Sequence, residues 1–145
     1  MYQRAVERDS GDFRSHLALA QIFHYQGRYA EAAQAYLASF RAQSVCVPAC
    51  DSLARLLATC PDDKARDGKR AVEYATTACE RTGWKDPLCL DTLASAYAEA
   101  GRFDEAVRYQ TRALDDPELK GDLRTAAGQR LELYRQKKPF RDQGP

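Results

Sequence analysis

Apolar and small residues recur at helical spacing along most of the chain, and that pattern itself repeats. The run Leu19-Ala20-x-x-Phe23-x-x-x-Gly27-Arg28-Tyr29-x-Glu31-Ala32 aligns without a gap onto Leu93-Ala94-x-x-Tyr97-x-x-x-Gly101-Arg102-Phe103-x-Glu105-Ala106. Each run continues to a small residue followed by an apolar one, Ser39-Phe40 and Ala113-Leu114. The interval from Leu19 to Leu93 exceeds two repeats of about 34 residues, the commonest length for a helix–turn–helix unit. A third copy lies between them: Leu53-Ala54 and Leu57 match the first helix, and Ala71, Ala75 and Ala78-Cys79 match the second. Between those helices, Thr59-Cys60-Pro61-Asp62-Asp63-Lys64-Ala65-Arg66-Asp67-Gly68 replaces the tight glycine turn with a polar loop.

The register extends past both ends. Ala127, Gly128 and Leu131 continue the first-helix positions, and Ala5 continues a second-helix position. The pattern predicts an all-α chain of antiparallel helix pairs stacked as an α-α superhelix, with three whole repeats and a half-repeat at each end. It forms one domain over residues 1–138, comprising an orphan second helix at 1–12, repeats at 13–46, 47–86 (with the enlarged turn) and 87–120, and a capping helix at 121–138. Residues 139–145 are a tail.

Physical chemistry accounts for the residue types. Ala32, Ala71 and Ala106 let two backbones approach closely, while Phe23, Tyr29, Tyr36 and Tyr97 fill the remaining volume. Gly27 and Gly101 suit a helix end that requires a left-handed residue. Glu31, Asp104 and Glu105 fall in first turns, where carboxylates favour the helix dipole. Pro48 and Pro87 suit first turns as well, with Asp86 as a cap.

Composition narrows the class of function. The 22 Lys+Arg and 21 Asp+Glu residues nearly cancel, leaving a formal charge of +1 without the basic surplus of a nucleic-acid binder. No apolar run approaches the length of a membrane span, and the charged stretch after Met1 does not read as a secretion signal, so the cytoplasm is the expected compartment. Cys46, Cys50, Cys60, Cys79 and Cys89 are odd in number and irregular in spacing, which reads as small helix residues and not a disulfide framework. His16 and His24 lack metal-ligand spacing, and Cys46 and Cys50 have no second ligand pair. The glycines are isolated, and no nucleophile–base set is legible. The residues therefore predict no enzyme activity, cofactor, metal, nucleic acid or membrane partner.

At these positions the chain resembles the tetratricopeptide-repeat (TPR) family. The stretch from Leu56-Leu57-Ala58-Thr59-Cys60-Pro61-Asp62 through Asp91-Thr92-Leu93-Ala94, with the closing Arg130-Leu131-Glu132-Leu133-Tyr134-Arg135, is similar to TPR arrays at the carboxyl ends of large planctomycete-type bacterial proteins. That resemblance implies an interaction role, with a protein or peptide held on the concave face lined by first helices. On that face it places Arg14, Leu17, Gln21, His24 and Tyr25, then Asp51 and Arg55, then Leu88, Asp91, Ser95 and Glu99. Family members that grip a terminal carboxylate use Lys and Asn there. Leu17, Gln21, Asp51 and Arg55 occupy the matching places, so such a clamp is not expected.

The unpaired ends suggest an alternative, a self-assembling structural subunit. The helix bearing Tyr2, Ala5 and Val6 lacks its first-type partner, and the helix bearing Ala127, Gly128 and Leu131 lacks its second. One copy docking head-to-tail on the next would build a homo-oligomeric ring or filament. The basic residues Arg130, Arg135, Lys137, Lys138 and Arg141 read as a solvated end cap.

Overall fold

Each first helix carries a stripe of Leu and Ala that only a second helix can cover, and the chain satisfies this by folding back after every pair. A computed structural model describes residues 13–42 and 47–142. Its helices are α1 (Phe13–Tyr25), α2 (Tyr29–Ala42), α3 (Val47–Thr59), α4 (Gly68–Arg81), α5 (Pro87–Glu99), α6 (Phe103–Leu114) and α7 (Gly121–Arg135). The architecture is all-α. The hairpins α1–α2, α3–α4 and α5–α6 pack in sequence, α3 meets α5 directly, and α7 closes on α6. The expected helix over residues 1–12, and with it Tyr2, Ala5 and Val6, lies outside the described residues, as does Cys46.

Ala20, Ala32, Ala54, Ala71, Ala94 and Ala106 are fully buried where paired helices touch. Gly27 and Gly101 adopt φ of 77° and 82° at the two tight turns, the left-handed region that a Cβ disfavours. Asp86 caps α5 through an acceptor bond from the Leu88 N–H, and Pro87 takes the position where no N–H is needed.

The enlarged turn is closely tied down. The Arg66 guanidinium donates to the Cys60 carbonyl at 2.7 Å and pairs with Asp63 and with Glu99 at the end of α5. The Asp67 N–H donates to the Leu57 carbonyl at 2.8 Å, and the Asp67 carboxylate caps α4 by accepting from the Arg70 N–H. Gly68 is required for packing: a Cβ there would lie 2.6 Å from the Ala100 backbone nitrogen. The long loop thus returns α4 to close contact with α5.

A second structural device escapes the repeat pattern. Tyr97 and Tyr109 stack with ring centroids 5.6 Å apart, and Trp84 continues the stack at 6.2 Å. Arg102, Arg108 and Arg112 lie over these rings, joining the turn after α4 to α5 and α6. Among the described residues, no helix is long and apolar enough to cross a membrane.

Candidate functional site

Asp51 and Arg55 lie on α3, Leu88 and Asp91 on α5, and Leu119, Leu123, Ala126, Ala127 and Arg130 on or just before α7. Together they line a cavity of about 290 Å³. Its rim carries Leu88 and Leu123, exposed at 42% and 55%.

The floor centres on Asp91, a 2%-exposed carboxylate. Arg130 binds it in bidentate fashion at 3.0 Å, Arg55 donates at 2.9 Å and the Gln110 amide at 2.7 Å. Gln110 also donates to the Ala127 carbonyl, so α3, α5, α6 and α7 converge on one carboxylate. Burial by itself pushes the Asp91 carboxyl up, but Arg55, Arg130 and the Gln110 bond outweigh it and hold the group below the usual carboxylate range. Asp51 behaves in the opposite way. Burial raises its carboxyl above the usual range despite Arg55 and Thr92, and its Oδ1 has no hydrogen-bond partner. The cavity therefore places a buried, unpartnered acceptor beside two guanidinium groups, under an apolar rim.

The expected lining does not form one surface. Asp51, Arg55, Leu88 and Asp91 come together at this cavity. Gln21 and Tyr25 line a separate patch on α1 with Ala18, Ile22 and Gln26, where Tyr25 is 84% exposed. Arg14 is exposed on α1 with its guanidinium over the Phe13 ring, and Leu17 is half-buried against the core. His24 lies edge-on to Tyr29 and Tyr36, 3.3 Å from the Tyr36 hydroxyl; burial lowers its pKa, with Asp142 acting against that shift.

Asp91, Ser95 and Glu99 do not form an open wall. Arg130 covers Asp91, the Tyr134 hydroxyl bonds the Ser95 hydroxyl at 2.8 Å, and Arg141 pairs with Glu99 at 2.6 Å. Two of the three self-association residues on α7 are likewise packed within the chain. Ala127 and Leu131 are 1% and 7% exposed, and Gly128 is half-buried. The exposed face of α7 instead carries Thr125, Gln129, Glu132 and Arg135.

In the sequence Arg130 and Arg141 read as solvated cap residues, and Tyr134 has no assigned partner. A signal was present: Asp91–Arg130 and Ser95–Tyr134 share one separation of 39 residues, five more than the 34 that relate Leu93 to Ala127, so both pairs join the same two helix faces.

This arrangement defines an all-α helical-repeat protein whose first-type helices share a polar cavity. The tetratricopeptide repeat family model matches residues 15–39 and 90–125, so the first and third hairpins, including the start of α7, are similar to that family. No curated protein gives a significant match.

Proposed function

We propose that the chain is a non-catalytic scaffold that binds a protein or peptide segment on the face formed by its first helices, anchored at the Asp51–Arg55–Leu88 cavity. The observation that carries this reading is the unpartnered Asp51 Oδ1 beneath the exposed Leu88 and Leu123. An apolar side chain could lie against the leucines while an adjacent N–H donor reaches the buried acceptor, a mixed anchor of the kind that concentrates binding energy. The similarity of residues 15–39 and 90–125 to tetratricopeptide repeats supports the same role.

Peptides selected from a displayed random library on the wild-type chain test it. The expected result is that Leu123→Glu and Asp51→Ala each weaken the selected peptides about ten-fold or more, the size of effect typical of an anchor contact. Selected peptides indifferent to both substitutions would overturn it. Head-to-tail stacking, the alternative, would need the helix expected over residues 1–12, which lies outside the described residues.

A further inference from the structure

The segment after α7 does not leave the molecule. Lys137 reverses the chain with φ of 59°, and residues 139–142 then run without secondary structure past the carboxyl ends of α5 and α3 towards α1. Phe140 packs on the small core cluster with Tyr134 and lies under the Arg130 guanidinium, 5.2 Å from its ring centroid. The Arg141 guanidinium pairs with Glu99 of α5 at 2.6 Å. The Asp142 N–H donates to the Thr59 carbonyl of α3 at 2.7 Å, satisfying a helix-end acceptor. The Asp142 carboxylate is close enough to act on His24 of α1. The strand thus meets an apolar seat built by α5, α6 and α7, an acidic socket at the end of α5 and a helix-end carbonyl of α3.

We propose that this edge is a second interaction surface, which binds an extended protein segment bearing an aromatic–basic–acidic sequence, and that Phe140–Asp142 is its resident occupant in cis. The surface adjoins the Asp51 cavity, because Arg130 lines that cavity and covers the Phe140 ring, but Glu99 and Thr59 lie outside the cavity. Its chemistry is read by main chain and charge. One backbone bond fixes the strand, the Glu99 socket selects the basic residue, and the ring seat selects the aromatic one. The contacts are few and partly wet, with the Arg141 side chain 35% exposed, so the strap can open while the helical core stays closed. Tethering gives the strap a millimolar-range effective concentration, which a partner segment must exceed.

The probe is a capped synthetic peptide with the sequence of residues 137–142, titrated into the isotope-labelled full chain and into the full chain carrying Phe140→Ser and Arg141→Ser. Saturable shifts at the Thr59, Glu99 and His24 amides are expected in the double variant, with binding to the wild type weaker by about ten-fold or more because the strap competes. Adding Glu99→Gln should weaken the peptide by about three-fold or more. No saturable shift up to about 5 mM in the folded double variant, well into the effective-concentration range of a tether, would overturn the proposal. Equal affinity for both chains would do so as well. If the double variant does not fold, amide exchange on the wild type decides. The Asp142 N–H should exchange at least about a hundred-fold faster than the α5 core amides, and exchange only by global unfolding would show that the strap never opens.

Discussion

Helices α1 and α5 carry the same motif yet have opposite surroundings. In α1 only His16 and Ala20 are buried, whereas α5 is buried continuously from Cys89 to Ala96. The aligned positions make the contrast specific. Leu17 corresponds to Asp91, Gln21 to Ser95 and Tyr25 to Glu99. Where α1 has the half-buried Leu17, α5 has a carboxylate that collects two arginines, and where α1 has the open Tyr25, α5 has a glutamate held between Arg66 and Arg141. The motif therefore encodes the hairpin, through a small contact residue and a glycine turn. What happens to the remaining faces is set by the neighbours. Helix α5 has α3 on one side, Arg130 and Tyr134 of α7 on the other, and the strap across its end.

The largest test of that contrast is Asp91→Asn. It halves the acceptor capacity of the floor and leaves Arg55 and Arg130 without their counter-charge. A loss of about 3–5 kcal/mol is expected, the usual cost of breaking a buried ion pair. Leu17→Asn, at the equivalent place on α1, should cost clearly less because that side chain is only half-buried. Urea denaturation of both variants measures the difference, and equal losses would remove the asymmetry. The Asp91 contribution also has a direction in pH. Because its folded pKa is depressed, its stabilisation is complete above the unfolded value near about 4 and is lost as pH falls through the folded value.

Next in size is Gly68→Ala. Its Cβ would meet the backbone of Glu99 and Ala100, which cannot rotate away, so about 1–3 kcal/mol of destabilisation is expected from overpacking. Gly128, with open space around its Cβ position, provides the control. In the interior of α7, Gly128→Ala should stabilise by about 0.5–1 kcal/mol. Thermal melts showing the same sign for both would mean that the enlarged turn does not hold α4 against α5 as described.

Much of the hairpin arrangement was legible because it is written locally. The Leu-Ala contact, the glycine at the turn and the acidic first turn lie within one repeat, and Asp86-Pro87 signals its own helix start. The enlarged turn was legible as a departure in spacing, although the function of Gly68 was not, since it depends on Ala100 in another repeat. The candidate lining was less legible for the same reason. Whether Ser95 faces solvent depends on Tyr134, and whether Glu99 does depends on a strap residue 42 positions later (Glu99 to Arg141). Pairing across repeats leaves no trace in the period of either helix.

Asp51 sharpens the comparison from within the cavity, with a smaller effect of opposite sign. Its folded pKa is raised, chiefly by burial, so its contribution is complete below about 4 and is lost as pH rises through the folded value. Asp51→Asn should therefore stabilise the chain at neutral pH, because it removes the buried charge whose desolvation raises the folded pKa. The gain should vanish in acid. Two carboxylates on one floor would then show opposite pH slopes, measured as the difference in unfolding free energy between each variant and the wild type from pH 3 to pH 7. A gain that persists unchanged below about pH 4 would place the effect outside Asp51 ionisation.

The smallest effect belongs to Tyr25, the open counterpart of Glu99. Tyr25→Ser removes an exposed ring from the α1 patch and should change stability by no more than about 0.5 kcal/mol, as surface substitutions do. Glu99→Gln keeps the shape of its side chain but removes the charge shared by Arg66 and Arg141, and about 1 kcal/mol should be lost. The pair isolates the role of neighbours at one motif position, because the helices and their register are the same. If Tyr25→Ser destabilised as much as Glu99→Gln, the α1 ring would be packing on something in the folded chain. The low burial of α1 would then no longer distinguish it from α5.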